Sequence, residues 1–173
     1  MDHNYEKKGV SALYMRNFVF GVEDSLVSTV GLLSGIAVAD TDLRTIILTG
    51  VVLIFVEAFS MAVGSFLSES SAEEYLHQRK KMHALPIMAS IIMFFSYFIA
   101  GFVPLSPYIV LPVTSALPLS IGFSLAALFL LGILGAKITK RNIFRGGFRM
   151  FIIGGLALLV GIIAGQLSHL VGA

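Results

Sequence analysis

Three side chains in this sequence have the type and spacing to do chemistry in a place where charge is rarely left. Asp24 lies inside an apolar stretch, residues 17–39. That stretch is long enough to cross a bilayer, which takes about 20 residues. Glu57 lies near the middle of a second such stretch, 43–67, with Met61 four residues on and Ser65 four beyond that. An acid within a membrane helix costs roughly 2.5–3.5 kcal/mol on insertion scales, so it is rare unless it has a partner or a path to serve. Glu23 adjoins Asp24 but stands nearer the start of its stretch, where the water interface would tolerate it. Positions i, i+4 and i+8 stack Glu57, Met61 and Ser65 on one helix face. A carboxylate beside a thioether is a partial site for a transition metal. It favours ferrous iron, manganese, cobalt or zinc over sodium, calcium or magnesium. Methionine alone is an ordinary packing residue, so Glu57 carries more of this reading than Met61. The charge on Asp24 and Glu57 can be neutralised by protons or by a bound cation. The acids alone therefore suggest a proton-coupled cation carrier.

A second set of candidates follows the second apolar stretch. Glu69 and Glu73 share a helix face, as do Glu73 and His77, with Glu74 and His83 nearby. Such a face could collect a divalent ion before translocation; the competing reading is a solvated helix surface. Enzyme readings fit poorly. Gly21-Val-Glu-Asp24 has a superficial likeness to an intramembrane aspartyl protease motif, but that chemistry needs two membrane aspartates sharing a proton, and Asp24 is the only aspartate inside a segment. Gly31-Leu-Leu-Ser34-Gly35 has the wrong spacing for a membrane serine protease. His169 sits at the end of the last segment, and no His-Glu-x-x-His or phosphate-binding loop occurs.

The elements that must hold these residues are helices in a membrane. Of 173 residues, 57% are hydrophobic and 13% charged, against about 25% charged in a soluble domain. Five apolar segments, 17–39, 43–67, 86–105, 114–136 and 147–169, each approach spanning length. Lys7, Lys8 and Arg16 precede the first, Arg79 to Lys81 separate the second and third, and Lys137, Lys140, Arg141, Arg145 and Arg149 separate the fourth and fifth. Eleven basic residues thus fall at one end of the bundle and only Arg44 at the other. The positive-inside rule predicts a cytoplasmic N-terminus and a C-terminus outside or in a lumen. Basic residues at helix ends fit topology control, not nucleic-acid binding. There is no cysteine, hence no disulfide, and no signal peptide is read.

Between the segments, Asp40 or Thr41 is expected to cap the second helix. Residues 68–85 lack glycine and keep a helical period up to Pro86, so they read as a short cytoplasmic helical extension. Residues 103–112 are uncharged and proline-rich and read as a loop, and Pro118 is a candidate kink. Gly31-x-x-x-Gly35 and Gly161-x-x-x-Gly165 mark places of close helix approach, within a bundle or across a dimer.

The chain resembles the vacuolar iron transporter family. Phe20-Gly-Val-Glu-Asp-Ser-Leu-Val-Ser28 with Gly31-Leu-Leu-Ser-Gly-Ile36 is similar to the family's first helix. Ser60-Met-Ala-Val-Gly-Ser-Phe-Leu-Ser68 with Ser70-Ser71 is similar to its second. Ala100-Gly-Phe-Val-Pro-Leu-Ser-Pro-Tyr108 and Gly154-Gly-Leu-Ala157 give further support. The resemblance implies a five-helix protomer working as a homodimer, with an ion path between protomers that moves ferrous iron, and often manganese, out of the cytosol in exchange for protons. It matches Asp24 to the family's membrane aspartate and Met61 to its second-helix methionine, both implicated in translocation. Two departures stand out. Many relatives carry Gly-Glu-Tyr or Gly-Glu-Phe where this chain has Gly64-Ser65-Phe66, and Glu57 stands two turns earlier on the same face. The acid is read as having moved to the other side of Met61. Relatives of the iron-storage type also insert a Glu-rich three-helix domain that residues 69–85 are too few to form.

The expectation is an all-α integral membrane protein, one transmembrane domain over 1–173. It would be a dimer through the first helix in a lipid bilayer, with a prokaryotic cell membrane favoured over a vacuolar one. It would be a transporter and not an enzyme, without a resident cofactor. Asp24, Glu57 and Met61 would be translocation ligands, with Glu23, Glu69, Glu73, Glu74 and His77 as accessory ligands. A non-transporting scaffold and a carrier of another cation remain as alternatives.

Overall fold

A computed structural model of the chain describes residues 3–77 and 84–172, with side chains over 9–75 and 84–167. The described residues form five helices: α1 (His3–Val38), α2 (Leu43–His77), α3 (Ala84–Val110), α4 (Val113–Ile138) and α5 (Ile143–Gly172). Each contains a stretch long and apolar enough to cross a membrane.

The helices differ in how much lipid they must face. Half of the most apolar window of α1 is buried inside the bundle, against 11% of that of α5. α1 is also the least apolar, with mean hydropathy 1.3 against 2.0 to 2.4 for the others. The two facts have one cause. α1 packs on all four other helices, so protein rather than lipid surrounds it, and polar side chains there can find partners. Asn17, Ser25, Thr29 and Ser34, all on α1, are buried.

Close approach at α1 relies on glycine. A Cβ on Gly35 would stand 2.7 Å from the carbonyl oxygen of Gly161, and one on Gly165 would collide with the backbone of Gly35. The two glycine pairs flagged in the sequence therefore pack on each other within one protomer, α1 against α5. The expected dimer through the first helix cannot use that face.

Three local expectations are corrected. First, α1 begins at His3 and not near residue 17. Polar residues ahead of an apolar run look like a soluble lead, yet they continue the same helix. Second, residues 103–110 are not a loop: α3 runs through Pro104 and Pro107 to Val110. Pro107 lacks the N–H that Val103's carbonyl would accept. That carbonyl instead accepts the Ser106 hydroxyl at 2.9 Å, the kind of local rescue that keeps proline inside membrane helices. Third, the cap of α2 is Asp42, not Asp40 or Thr41. Asp42 accepts the Thr45 backbone N–H at 3.1 Å and the Thr45 hydroxyl at 2.6 Å. Asp40 lies in the left-handed region (φ 60) just past α1.

The α4–α5 turn is built in the same way. Lys140 is left-handed (φ 53). Its N–H bonds the carbonyl of Lys137 at 3.2 Å, and that of Arg141 bonds Ala136 at 2.8 Å. This is a Schellman closure with lysine where glycine is usual. Asn142 then opens α5, accepting the Arg145 N–H at 3.3 Å.

Candidate functional site

α1 and α2 run antiparallel, and their cross-contacts form a ladder. In the N-terminal half of α1, the Arg16 guanidinium pairs with the Glu69 carboxylate. Alongside it, the Ser65 hydroxyl donates to Asn17 Oδ1 at 2.6 Å, while Asn17 Nδ2 donates to the carbonyl of Leu13 at 3.0 Å. Asp24 lies seven residues beyond Asn17 and Glu57 eight residues before Ser65, so each is about 11–12 Å further along its helix. The register brings them level. Both residues are half-buried. Met61, also half-buried, sits one turn from Glu57 on the way to Ser65.

The pair is well inside the spans. From Val38 back to Asp24, and from Leu43 forward to Glu57, is 14 residues in each helix, or about 21 Å at 1.5 Å per residue. A hydrocarbon core of about 30 Å that began at the α1–α2 turn would enclose both acids, past its midplane.

The α1 motif owes much of its composition to α3. A Cβ on Gly21 would lie 2.9 Å from the Cβ of Ser96, so only glycine lets α3 pass this close. One turn on, the Ser25 hydroxyl donates to the Tyr97 carbonyl at 2.6 Å. Ser28 Oγ and the Tyr97 hydroxyl are 2.7 Å apart. Tyr97 is fully buried. The serines of this motif thus fix a tyrosine within one turn of Asp24. Sequence reasoning missed Tyr97 and Asn17.

The remaining candidates scatter. Glu23 lines a cavity between α1, α4 and α5 that Arg149 also lines. The Glu69 carboxylate is engaged by Arg16. Glu73 is half-buried and Glu74 exposed on the last turns of α2. The side chain of His77 lies outside the described residues, as do those of His83 and His169. Among the described residues, no three His, Cys, Asp or Glu side chains come together in a group able to hold a metal ion. One copy of the chain therefore brings Asp24 and Glu57 to the same level of neighbouring helices, with Met61 one turn from Glu57 and Tyr97 held by Ser25 and Ser28 within a turn of Asp24.

The sequence profile of the VIT family matches residues 15–84 and 72–166. The two matched pieces meet at the α2–α3 connection. Among curated relatives, the chain is similar to Vacuolar iron transporter homolog 4 of Arabidopsis thaliana, 29% identical over 171 residues, covering 91% of this chain and 83% of that protein. It is similar to an uncharacterized protein of Methanocaldococcus jannaschii, 27% identical over 163 residues and 84% of each chain. Against Vacuolar iron transporter 1 of Arabidopsis thaliana it is 20% identical over 217 residues, covering 91% and 87%. That last alignment is longer than the 173 residues of this chain, so that relative carries segments absent here.

Proposed function

This chain belongs to the VIT family of membrane transporters, and from that premise we propose that it carries a divalent transition metal out of the cytosol in exchange for protons. Ferrous iron is the first cargo to test, and manganese the second. The observation that supports this most is the pair Asp24 and Glu57, held level on neighbouring helices inside the spans. Two carboxylates in that setting need positive charge beside them, supplied by protons or by a cation. A cargo ion arriving would displace protons, and protons arriving from the other side would release the ion. Met61 adds a soft donor one turn toward the Asn17–Ser65 contact, which favours iron over magnesium or calcium.

The same pair argues for a second copy. Two acids and a thioether are too few to strip the hydration from a divalent ion, whereas a two-fold axis beside α1 and α2 would double the set. The α1–α2 contact is the thinnest that α1 makes, which leaves this flank available for a partner. The positive-inside rule, applied to the eleven basic residues that precede the first segment or lie between the second and third and between the fourth and fifth, puts the N-terminus in the cytoplasm, so transport would run from the Arg16–Glu69 end toward the α1–α2 turn.

Purified protein in liposomes, loaded with an iron-sensitive dye and a pH dye, tests the reading. Wild type should move ferrous iron and protons in opposite directions. Asp24→Asn and Glu57→Gln should each abolish both fluxes while leaving the protein monodisperse. Iron flux unaffected by either substitution would overturn the assignment. Absence of any metal-driven proton movement in wild type would favour a scaffold instead.

A further inference from the structure

Away from the Asp24–Glu57 pair, a cavity of the bundle has chemistry of its own. It measures about 1280 Å³ and lies between the N-terminal half of α1, the end of α4 and the start of α5. Its rim carries Arg141, Arg145 and Arg149. Arg145 and Arg149 are one turn apart on α5, so the three form a column descending from the α4–α5 turn. Arg16 also borders the cavity, with its guanidinium held by Glu69. Glu23 is the only acid in the lining. Among the described residues Arg141 and Arg145 have no carboxylate partner. An excess of positive charge is thus concentrated on one concave surface.

Below the arginines the wall turns apolar, with Val19, Phe20 and Ile153. Phe20 is 50% and Ile153 42% exposed, so this wall is continuous with the outer apolar surface of the bundle. A column that grades from guanidinium to hydrocarbon within two helical turns matches one kind of molecule. A soluble anion would use only its upper part. A phospholipid would use all of it, with phosphate on the arginines and acyl chains along Phe20 and Ile153.

We propose that this cavity binds an anionic phospholipid through its phosphate, with Arg145 and Arg149 as the principal contacts and Arg141 as a secondary one. The site packs α1 against α4 and α5, so an occupant would tie the central helix to the outer two.

The test uses the full chain released from detergent in native mass spectrometry, titrated with phosphatidylglycerol or phosphatidylcholine. Wild type should retain one phosphatidylglycerol per protomer in preference to phosphatidylcholine. At ~1 kcal/mol per arginine near a lipid surface, each arginine removed should weaken retention about fivefold. Arg145→Gln with Arg149→Gln should therefore cost well over tenfold. Arg141→Gln, on the exposed turn, should cost less and keeps the test informative if the double variant fails to fold. Lys137→Gln with Lys140→Gln removes two charges at the same end, but neither lysine lines the cavity, so retention should hold. Equal loss in the lysine pair would overturn the proposal in favour of diffuse surface charge. Equal retention of phosphatidylcholine would overturn it too. Full displacement of lipid by millimolar inorganic phosphate would assign the cavity to a soluble anion. None of these readouts involves transport, so they stand apart from the test of the cargo.

Discussion

The glycine seam between α1 and α5 makes a quantitative prediction in which two glycines of one seam behave oppositely. At Gly161 an added Cβ would lie 2.7 Å from the backbone carbon of Gly31 and 2.8 Å from its Cα. Those are main-chain atoms that cannot swing aside, and ordinary contact begins at 3.4 Å. The Gly31 carbonyl oxygen would be nearer still, so the helices would have to part by roughly 1 Å, and overpacking of that kind costs about 1–3 kcal/mol. Alanine returns up to about 1 kcal/mol through its better helix propensity. Gly161→Ala should therefore destabilise the protein by about 1–2 kcal/mol. At Gly31 the new Cβ would meet only the Ala157 carbonyl oxygen, at 3.8 Å. With no clash, Gly31→Ala should be neutral or stabilising by up to about 1 kcal/mol. Unfolding by sodium dodecyl sulfate in mixed micelles, followed by far-ultraviolet circular dichroism, measures both. If Gly31→Ala loses as much as Gly161→Ala, the seam is not an α1–α5 contact within one protomer, and the reasoning fails.

Three further outcomes follow. Ser65→Ala leaves the buried Asn17 amide oxygen without its donor and should cost about 1–3 kcal/mol in the same unfolding assay; iron flux per folded molecule should persist, and its loss would make Ser65 a ligand. Lys140→Gly relieves a left-handed lysine, whose conformation costs about 1–2 kcal/mol, so the variant should unfold no earlier than wild type; a clear loss would show that the side chain contributes more than the strain removes. The hydrogen bonds from Thr45 hold the exposed Asp42 carboxyl below the usual carboxylate range. The folded state therefore binds that proton less tightly than the unfolded chain does. The cap's contribution is complete above about pH 4, where a free aspartate is ionised, and fades as pH falls through the lowered folded value. Comparison with Asp42→Asn in the acid range isolates it: wild type should lose the more stability on acidification, and parallel curves would refute the cap.

Much of this architecture can be read from the chain, and the failures have physical causes. Five spans follow from five apolar runs, because a bilayer demands length and hydrophobicity and little else. The reach of α1 back to His3 is hidden, since a helix leaving the membrane becomes polar while its backbone continues. Pro104 and Pro107 suggest a break, yet α3 passes through both, and Ser106 takes up the carbonyl that Pro107 leaves free. Asp24 and Glu57 are conspicuous as charges among apolar neighbours. Tyr97 is not, because its role depends on Ser25 and Ser28 from a helix 69 to 72 residues away in sequence. The Gly31 and Gly35 spacing announces close contact without saying with what. Only the packed bundle identifies α5 as the neighbour.

The length of the first two helices has a consequence for how such chains diversify. α1 and α2 have 36 and 35 residues, or over 50 Å each, against about 30 Å of hydrocarbon. Their surplus emerges at the same end, clasped by Arg16 and Glu69. α2 therefore ends, at His77, on a stalk that outruns the hydrocarbon. Sequence added there would hang in water without disturbing a single intramembrane contact. A longer relative could acquire a soluble module at this point, and a short chain such as this one could forgo it, with the same bundle beneath.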